Sequence, residues 1–595
     1  FFHFERNRPG LTIFGESMAR VLGFFSLSLS LADACTVFAV GKKATKDGSV
    51  LVSHSDDGDP HNDARLIHVP AQDHPEGSKR PIFYTPESFP RYLGSAMGPG
   101  YEPSQETAGY PVYQPIGYID QVAHTFGYQS GSYGVINEHG VSVGESTCSA
   151  MFGTCGRNQT VGCEPGRKVG EALLSIDTLS YLAMERCKSS KEAVELMGSL
   201  AVQYGFYGPP DSFEGSGESL VVADPDEAWA FQILSDPTGK SAIWAAQRLP
   251  DDHMTVVANM YTIREVDAND KANFLLSPNL FEVAKSKGWW KEGTPFDFTK
   301  MYSGGEYAHK YYSGRRMWGG FRMASPSTKL PADYEDIRYK KVYPWSVKPD
   351  TLVSHHDVMA WHRDWYAGTD FDMTKGVQAG PFGTPDRFTT TSQVKGNWER
   401  SIALYRTNAV YVQHLQHPAE GRPAGLASIA WYGAGPAHYA VFVPIPSGVS
   451  ATLAPLSFAN PQKYESYSMN WNTRKIMDVC QVNFKAMHPT VQAAQLALEK
   501  SGDALVEKMR QATPSVKELN AAFEQHAMEA LKTWQDLSNN LLFSYSDNSR
   551  FVENWKAIGY SDEWLDHSGY KAGPPPAPVE DKCPPKCDGE EELVV

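Results

Sequence analysis

Apolar and polar positions alternate from Cys35 onward. Cys35-Thr36-Val37-Phe38-Ala39-Val40 is rich in strand formers, Lys46-Asp47-Gly48 is a turn signal, and Ser49-Val50-Leu51-Val52-Ser53-His54 alternates small polar with apolar residues. This pattern predicts a β-hairpin. Residues 70–120, rich in Pro, Gly and Tyr, predict a long irregular excursion. Residues 132–144 predict two strands around an Asn137-Glu138-His139-Gly140 turn. Residues 168–187 and 189–204 predict two helices, the second opened by a Ser189/Glu192 capping box and closed by Gly205.

Strand patterns return at Ser219–Asp224, Trp229–Ile233, His253–Asn259, Ala427–Tyr432 and Tyr439–Pro444. From about residue 486 the period becomes helical, with a Ser515/Glu518 capping box. Residues 290–350 are aromatic and mixed and give no clear period. Strands, a helix pair, more strands and a helical end predict a layered α+β chain with sheets between helices.

Composition narrows the function. The chain has 595 residues, a formal charge of −15, 41% hydrophobic residues and 12% aromatics. This is globular material with ample core. An acidic balance argues against nucleic acid as a partner, because no basic face offsets phosphate repulsion. No run approaches the roughly 20 apolar residues of a membrane span, so no membrane partner is expected.

The N-terminal region has its own pattern. Met18-Ala19-Arg20 precedes the apolar stretch Val21–Leu31 and then Ala32-Asp33-Ala34. A positive start, a short apolar stretch and a small-x-small site predict a secretory signal, with residues 1–17 as upstream extension and cleavage after Ala34. The expected product is secreted or enters a lysosome-like or vacuolar lumen. Residues 35–485 are then the expected catalytic domain, with 486–572 its helical C-terminal part. The Pro-rich acidic residues 573–595 are expected to be a disordered tail.

A secretory route permits disulfides. There are eight cysteines, and Cys148, Cys155 and Cys163 are close enough in sequence to include one bridge. Asn158-Gln159-Thr160 is a glycosylation sequon, hence a glycoprotein expectation.

Cleavage before Cys35 has a chemical consequence. A thiol of pKa about 8.5 is only slightly ionised at neutral pH. A freed α-amine, of pKa about 7.7–8.0, is a suitable adjacent base. One cut would both export the chain and create that base. A structural cysteine near a mature terminus is the competing reading.

Residues 35–49, Cys-Thr-Val-Phe-Ala-Val-Gly-Lys-Lys-Ala-Thr-Lys-Asp-Gly-Ser, resemble the start of the dipeptidase A and secernin family of N-terminal-nucleophile (Ntn) hydrolases. Ser132–His139, Gly144–Cys148, Val257–Asn259, Gly380–Gly383 and Glu399–Ile402 continue the resemblance, which spans about residues 35 to 570. It implies a four-layer αββα sandwich and hydrolysis of short peptides with no metal or organic cofactor. It implies Cys35 as nucleophile and Asp57 as the carboxylate that holds amine or thiol. Val256–Asn259 resembles the strand of related choloylglycine-type hydrolases that ends in an oxyanion asparagine, which implies Asn259 as oxyanion donor, with Thr147 where those relatives have a second asparagine and a backbone amide as the alternative donor. Arg387 is similar to a site arginine of the superfamily, with a loop role as the equal alternative. His54 stands where many relatives carry arginine.

The resemblance implies a small peptide as substrate. Other linear amides, such as N-acyl amino acids, and a non-catalytic secernin-like binding role remain alternatives. The His54, Asp56, Asp57, Asp59, His61 and Asp63 cluster lacks the order of a calcium loop and is read as a polar loop after a strand. His355, His356 and His362 have no His-Glu-x-x-His pattern and are read as surface or core histidines.

Overall fold

The computed structural model describes residues 35–58, 61–84, 87–105, 107–157, 159, 170–208, 216–306, 310–334, 338, 340–388, 399–550 and 556–570. The expected leader (1–34), the sequon Asn158, Cys163 and the expected tail (573–595) lie outside the described residues.

The predicted hairpin forms. Strands β1 (Val37–Val40) and β2 (Val50–Asp56) pair antiparallel, Ala39 with Val52 and Val40 with Leu51, and a bridge between Thr36 and Ser55 continues the ladder. Every residue of both strands is buried, so both faces of this hairpin meet other layers. The serines of β2 are satisfied by the neighbouring backbone: Phe38 N donates to Ser53 Oγ at 3.1 Å and Thr36 N to Ser55 Oγ at 3.2 Å.

Three strands border the loop excursion and the Asn137 turn: β3 (Ile67–Val69), β4 (Tyr128–Ser130) and β5 (Gly134–Asn137). A run of longer ones follows: β6 (Ser142–Ala150), β7 (Gly217–Ala223), β8 (Ala228–Ser235), β9 (Ala242–Arg248), β10 (Met254–Val257) and β11 (Phe274–Leu276). The last are β12 (Ala409–Leu415), β13 (Ile429–Ala434) and β14 (Val443–Pro446). They make two antiparallel sheets. One has the order β10-β1-β2-β12-β13-β14; the other runs β11-β9-β8-β7-β6-β5-β4-β3. The sheets meet through β2, β6 and β7. Gln413 of β12 ties them, its Nε2 donating to the carbonyls of Val135 and Val143 at 3.2 and 3.0 Å.

Helices cover the outer faces. α1 (Ile176–Arg186) and α2 (Ser190–Tyr204) pack against the second sheet. At α2 the Ser189 Oγ accepts from Glu192 N, but Glu192 Oε2 turns to the Lys188 N–H, so half the predicted capping box forms. α3 (Ser313–Ala324) lies on β10, and α4 (His355–His362) on β12. α5 (Met469–Cys480), α6 (Phe484–Ala512) and α7 (Val516–Ser544) close the side near β14. The Ser515/Glu518 box of α7 forms in both directions. Its inward stripe is Phe523, Ala527, Ala530, Trp534, Leu537 and Leu541, the i, i+3, i+4 spacing of an amphipathic helix. Each large apolar side chain so buried contributes about 1.5–3 kcal/mol.

Two differences from the sequence pattern have physical causes. The strand expected at 439–444 begins only at Val443. Tyr439 and Ala440 N–H groups turn back to the Pro436 carbonyl, and Trp534 Nε1 holds the Tyr439 carbonyl at 3.1 Å. The excursion at 70–120 carries a short ladder, Lys79–Phe83 against Pro115–Asp120. Among the described residues, no helix is long and apolar enough to cross a membrane.

Candidate active site

Cys35 lies at the start of the first strand, where the two sheets meet, and is fully buried. Thr36 bridges Ser55 in the ladder of Ala39 with Val52, so Cys35 stands opposite Asp56. On an antiparallel pair, opposite side chains share a face, with Cβ atoms about 4.5–5.5 Å apart. His54, two residues back on β2, points to that same face. Glu145 of β6 enters from the second sheet. The Cys35 sulfur, a His54 ring nitrogen and a Glu145 oxygen all lie within 4.8 Å of one another.

His54 is held on both sides. Its Nδ1 is 2.9 Å from Tyr411 Oη, and its Nε2 is 3.4 Å from Glu145 Oε2. Burial pushes the Glu145 carboxyl up, but bonding and charge from His54 outweigh it, and the group sits below its ordinary value. The Cys35 thiol goes the other way. Burial pushes it well above an ordinary thiol, and the Glu145, Asp56 and Asp57 carboxylates add to this. With residues preceding Cys35, its nitrogen is an amide and brings no compensating charge.

Asp57 sits at the end of β2, fully buried. It accepts from Ser55 Oγ at 2.9 Å, from Arg400 Nη2 at 2.5 Å and from Thr407 Oγ1. Through Ser55, whose Oγ also receives the Thr36 N–H, Asp57 supports the residue next to Cys35. Glu399–Ile402 is one of the stretches that carry the family resemblance, and Arg400 is its contact with the site.

Asn259 lies two residues past the end of β10 and is fully buried with φ of 55°. Asparagine tolerates this left-handed conformation better than most residues. Its N–H donates to Ser146 Oγ and its Nδ2 to the Thr147 carbonyl, both at 2.7 Å. Only one of the two Nδ2 hydrogens is used by that bond. Thr147 therefore acts on Asn259 through its backbone, while its hydroxyl donates to Glu145 Oε1 at 2.9 Å.

Arg387 donates to the carbonyls of Thr384, Asp386 and Met373, bonds that fold its own loop. The guanidinium at Cys35 is that of Arg316, on α3, in the region whose period is unclear from sequence. Its Nη1 reaches the Cys35 carbonyl at 2.7 Å and Thr36 Oγ1 at 2.9 Å, and its Nη2 reaches Asn259 Oδ1 at 2.6 Å. Burial and the nearby Arg400 charge bring Arg316 down to about 9. Sequence reasoning also passes over Glu145. A carboxylate inside the strand Ser142–Ala150, whose first seven positions are all buried, is the signal that points to it.

Residues 120–497 match peptidase family C69. The chain belongs to that family. It is a cysteine-type peptidase, as the resemblance at residues 35–49 implies. Among its relatives are a protein named probable dipeptidase B of Streptococcus pyogenes serotype M1, 25% identical over 486 residues, covering 81% of this chain and 85% of the relative. A probable dipeptidase of Latilactobacillus sakei is 25% identical over 414 residues, 69% of this chain and 73% of its own length. Dipeptidase A of Lactobacillus helveticus is 21% identical over 453 residues, 76% and 82% respectively.

Among the described residues, two groups of side chains have the spacing of metal ligands: Cys35 with His54 and Glu145, and the half-buried His355, His356 and Asp503. In the second, both imidazoles are already bonded to Asp503, at 3.2 and 2.7 Å. Cys155 is disulfide-bonded, while Cys35, Cys148, Cys187 and Cys480 are free thiols.

Proposed function

We propose that the chain is a dipeptidase whose nucleophile is the Cys35 thiol, exposed as an N-terminal residue by removal of the segment ending at Ala34. The observation that carries this reading is the setting of Cys35. Its sulfur is buried and faces the carboxylates of Glu145, Asp56 and Asp57, which hold its thiol up. Cleavage before Cys35 adds an α-ammonium there, which offsets those charges and favours the thiolate. In its neutral form the amine takes the thiol proton.

Attack of the sulfur on the carbonyl carbon gives an oxyanion. Its candidate donor is the unused Asn259 Nδ2 hydrogen, held by Thr147 and Arg316. Collapse expels the peptide amine, and water hydrolyses the thioester. The names of the relatives support a dipeptide as substrate. The two face-to-face sheets, with α1 and α2 outside one and α4 to α7 outside the other, favour an Ntn-type αββα sandwich spanning residues 35–572. The bridged Cys155 favours export to an oxidising lumen or medium.

N-terminal sequencing and intact mass of the natural product test the processing step, with Cys35 expected as first residue. Dipeptide turnover by that product, abolished in Cys35→Ala at unchanged thermal midpoint, tests the nucleophile. Full activity with residues retained ahead of Cys35 would overturn the mechanism.

A further inference from the structure

Asp56 differs from its acidic neighbours. Asp57 is neutralised by Arg400, and Asp63 is paired with Arg65 at 2.6 Å. Asp56, 4% exposed, takes a hydrogen bond from Ser132 Oγ at 2.8 Å and makes no ion pair with lysine or arginine among the described residues. A buried carboxylate with no lysine or arginine beside it is costly, a cost the His54 charge only partly offsets, and it stands opposite the nucleophile.

Space adjoins it. Asp56 and His54 face the same way on β2, and the register sets Ala409 beside Asp56 and Tyr411 beside His54, with Tyr432 beyond. Beside the small Ala409 lies a cavity lined by Asp56, the Arg65-paired Asp63, His54, Ser132, Tyr133, Tyr411 and Tyr432, with room for about one water-sized group. A primary ammonium has that size. Tyrosine faces and a carboxylate are the surroundings that recognise one.

We propose that Asp56 and this aromatic cavity form the subsite for the free α-ammonium of the substrate, which restricts the enzyme to peptides with an unblocked N-terminus and to the bond after their first residue. This rests on the dipeptidase reading above. The ammonium nitrogen of a dipeptide lies two bonds from the carbonyl carbon. With that carbon about 3–3.5 Å from the Cys35 sulfur, the nitrogen falls within reach of a carboxylate on the opposite residue. Asp57 is already engaged by Arg400 and cannot serve equally.

The test uses the matured enzyme with alanyl-alanine and N-acetyl-alanyl-alanine. The wild type should prefer the free peptide, and Asp56→Asn should lower the ratio of the two kcat/KM values by about a hundredfold or more. Asp56→Glu keeps the charge and should retain a preference for the free peptide. If Asp56→Asn does not fold, Asp56→Ser decides, with the same fall in the ratio expected and an unchanged ratio overturning the subsite. An unchanged ratio in Asp56→Asn would overturn the subsite and return Asp56 to a role on the α-amine of Cys35 itself. Wild-type enzyme that cleaves blocked peptides as well as free ones would overturn it too, while leaving the Cys35 mechanism standing. A folded, correctly trimmed wild type that cleaves neither removes the dipeptidase reading and the subsite together.

Discussion

Arg316 binds Asn259 Oδ1 at 2.6 Å and the Cys35 carbonyl at 2.7 Å with two arms of one guanidinium. The proposed nucleophile and the proposed oxyanion donor are thus clamped by a single planar group on α3. A lysine point charge cannot make both bonds in fixed directions. Arg316→Lys should lower kcat by about 10²–10³ with a smaller change in KM. Steady-state kinetics on a dipeptide, corrected for folded fraction by circular dichroism, checks this; equal loss in kcat and folded fraction would reduce Arg316 to a core residue.

Asn259 has a conformational duty and a proposed chemical one, and these can be separated. Its φ of 55° costs alanine on the order of 1–2 kcal/mol and glycine far less. Asn259→Gly should therefore keep a higher melting temperature than Asn259→Ala. Both should lose kcat about 10²–10³ fold if the amide serves the oxyanion. Activity that follows melting temperature across the two variants would remove the amide from the chemistry.

The close approach of the sheets makes another test. A Cβ on Gly144 would collide with the Ser53 carbonyl oxygen and press on Val37 Cγ1 at 3.1 Å. Neither backbone can yield without moving β2 from β6, and Glu145 follows Gly144 directly. Gly144→Ala should destabilise by about 1–3 kcal/mol and cut turnover more than its stability loss accounts for. Denaturant unfolding beside kinetics reads both effects.

Much of this arrangement is legible in the sequence, for identifiable reasons. The 35–54 hairpin and the long C-terminal helices have strong local periods. Cys35, His54 and Asp57 lie on or beside one strand, so a single motif brings them out. Asn259 follows from a strand end. Glu145 and Arg316 are different: they meet Cys35 only through sheet packing and the docking of α3, contacts with no local pattern. β12 is hidden by Gln413 and His414, which interrupt its apolar run; the Gln413 amide nitrogen bonds two carbonyls of the other sheet, and His414 bonds Asp47 of the β1–β2 turn at 2.7 Å. Arg387 shows the converse, since a motif likeness does not determine where a loop side chain turns.

Buried histidines set the acid side of stability. His362 packs its ring 4.9 Å from Phe38, bonds Ser53 Oγ at 2.8 Å, and is brought down to about 3 by burial, with His54 and Arg363 adding to the effect. His68 and His488 fall to about 4, also by burial. Above an unfolded value near 6.5 these rings are neutral in both states, and their contribution is intact. As pH drops below that value the unfolded chain takes up protons that the folded one refuses. Stability then falls by about 1.4 kcal/mol per pH unit for each such ring, until the folded values near 4 and 3 are passed. His362→Gln should flatten the slope of unfolding free energy between pH 6 and 4 by about one proton. An unchanged slope would show that His362 titrates in the folded state.

The acidic corner predicts how Cys35 reacts while residues still precede it. Its thiol lies well above the ordinary value because it is buried and faces Glu145, Asp56 and Asp57. Thiolate is the species that alkylates. The chain with residues still ahead of Cys35 should therefore react slowly with iodoacetamide at neutral pH. Glu145→Gln removes the nearest negative charge while keeping the side chain's size, so its alkylation curve should move to lower pH. Peptide mapping by mass spectrometry separates Cys35 from the other buried thiols, Cys148, Cys187 and Cys480. A chain cut to begin at Cys35, whose α-ammonium would offset the same charges, should react faster than either form. A Glu145→Gln curve that stays in place would mean that burial alone silences the thiol, and trimming would then have to act by opening the site.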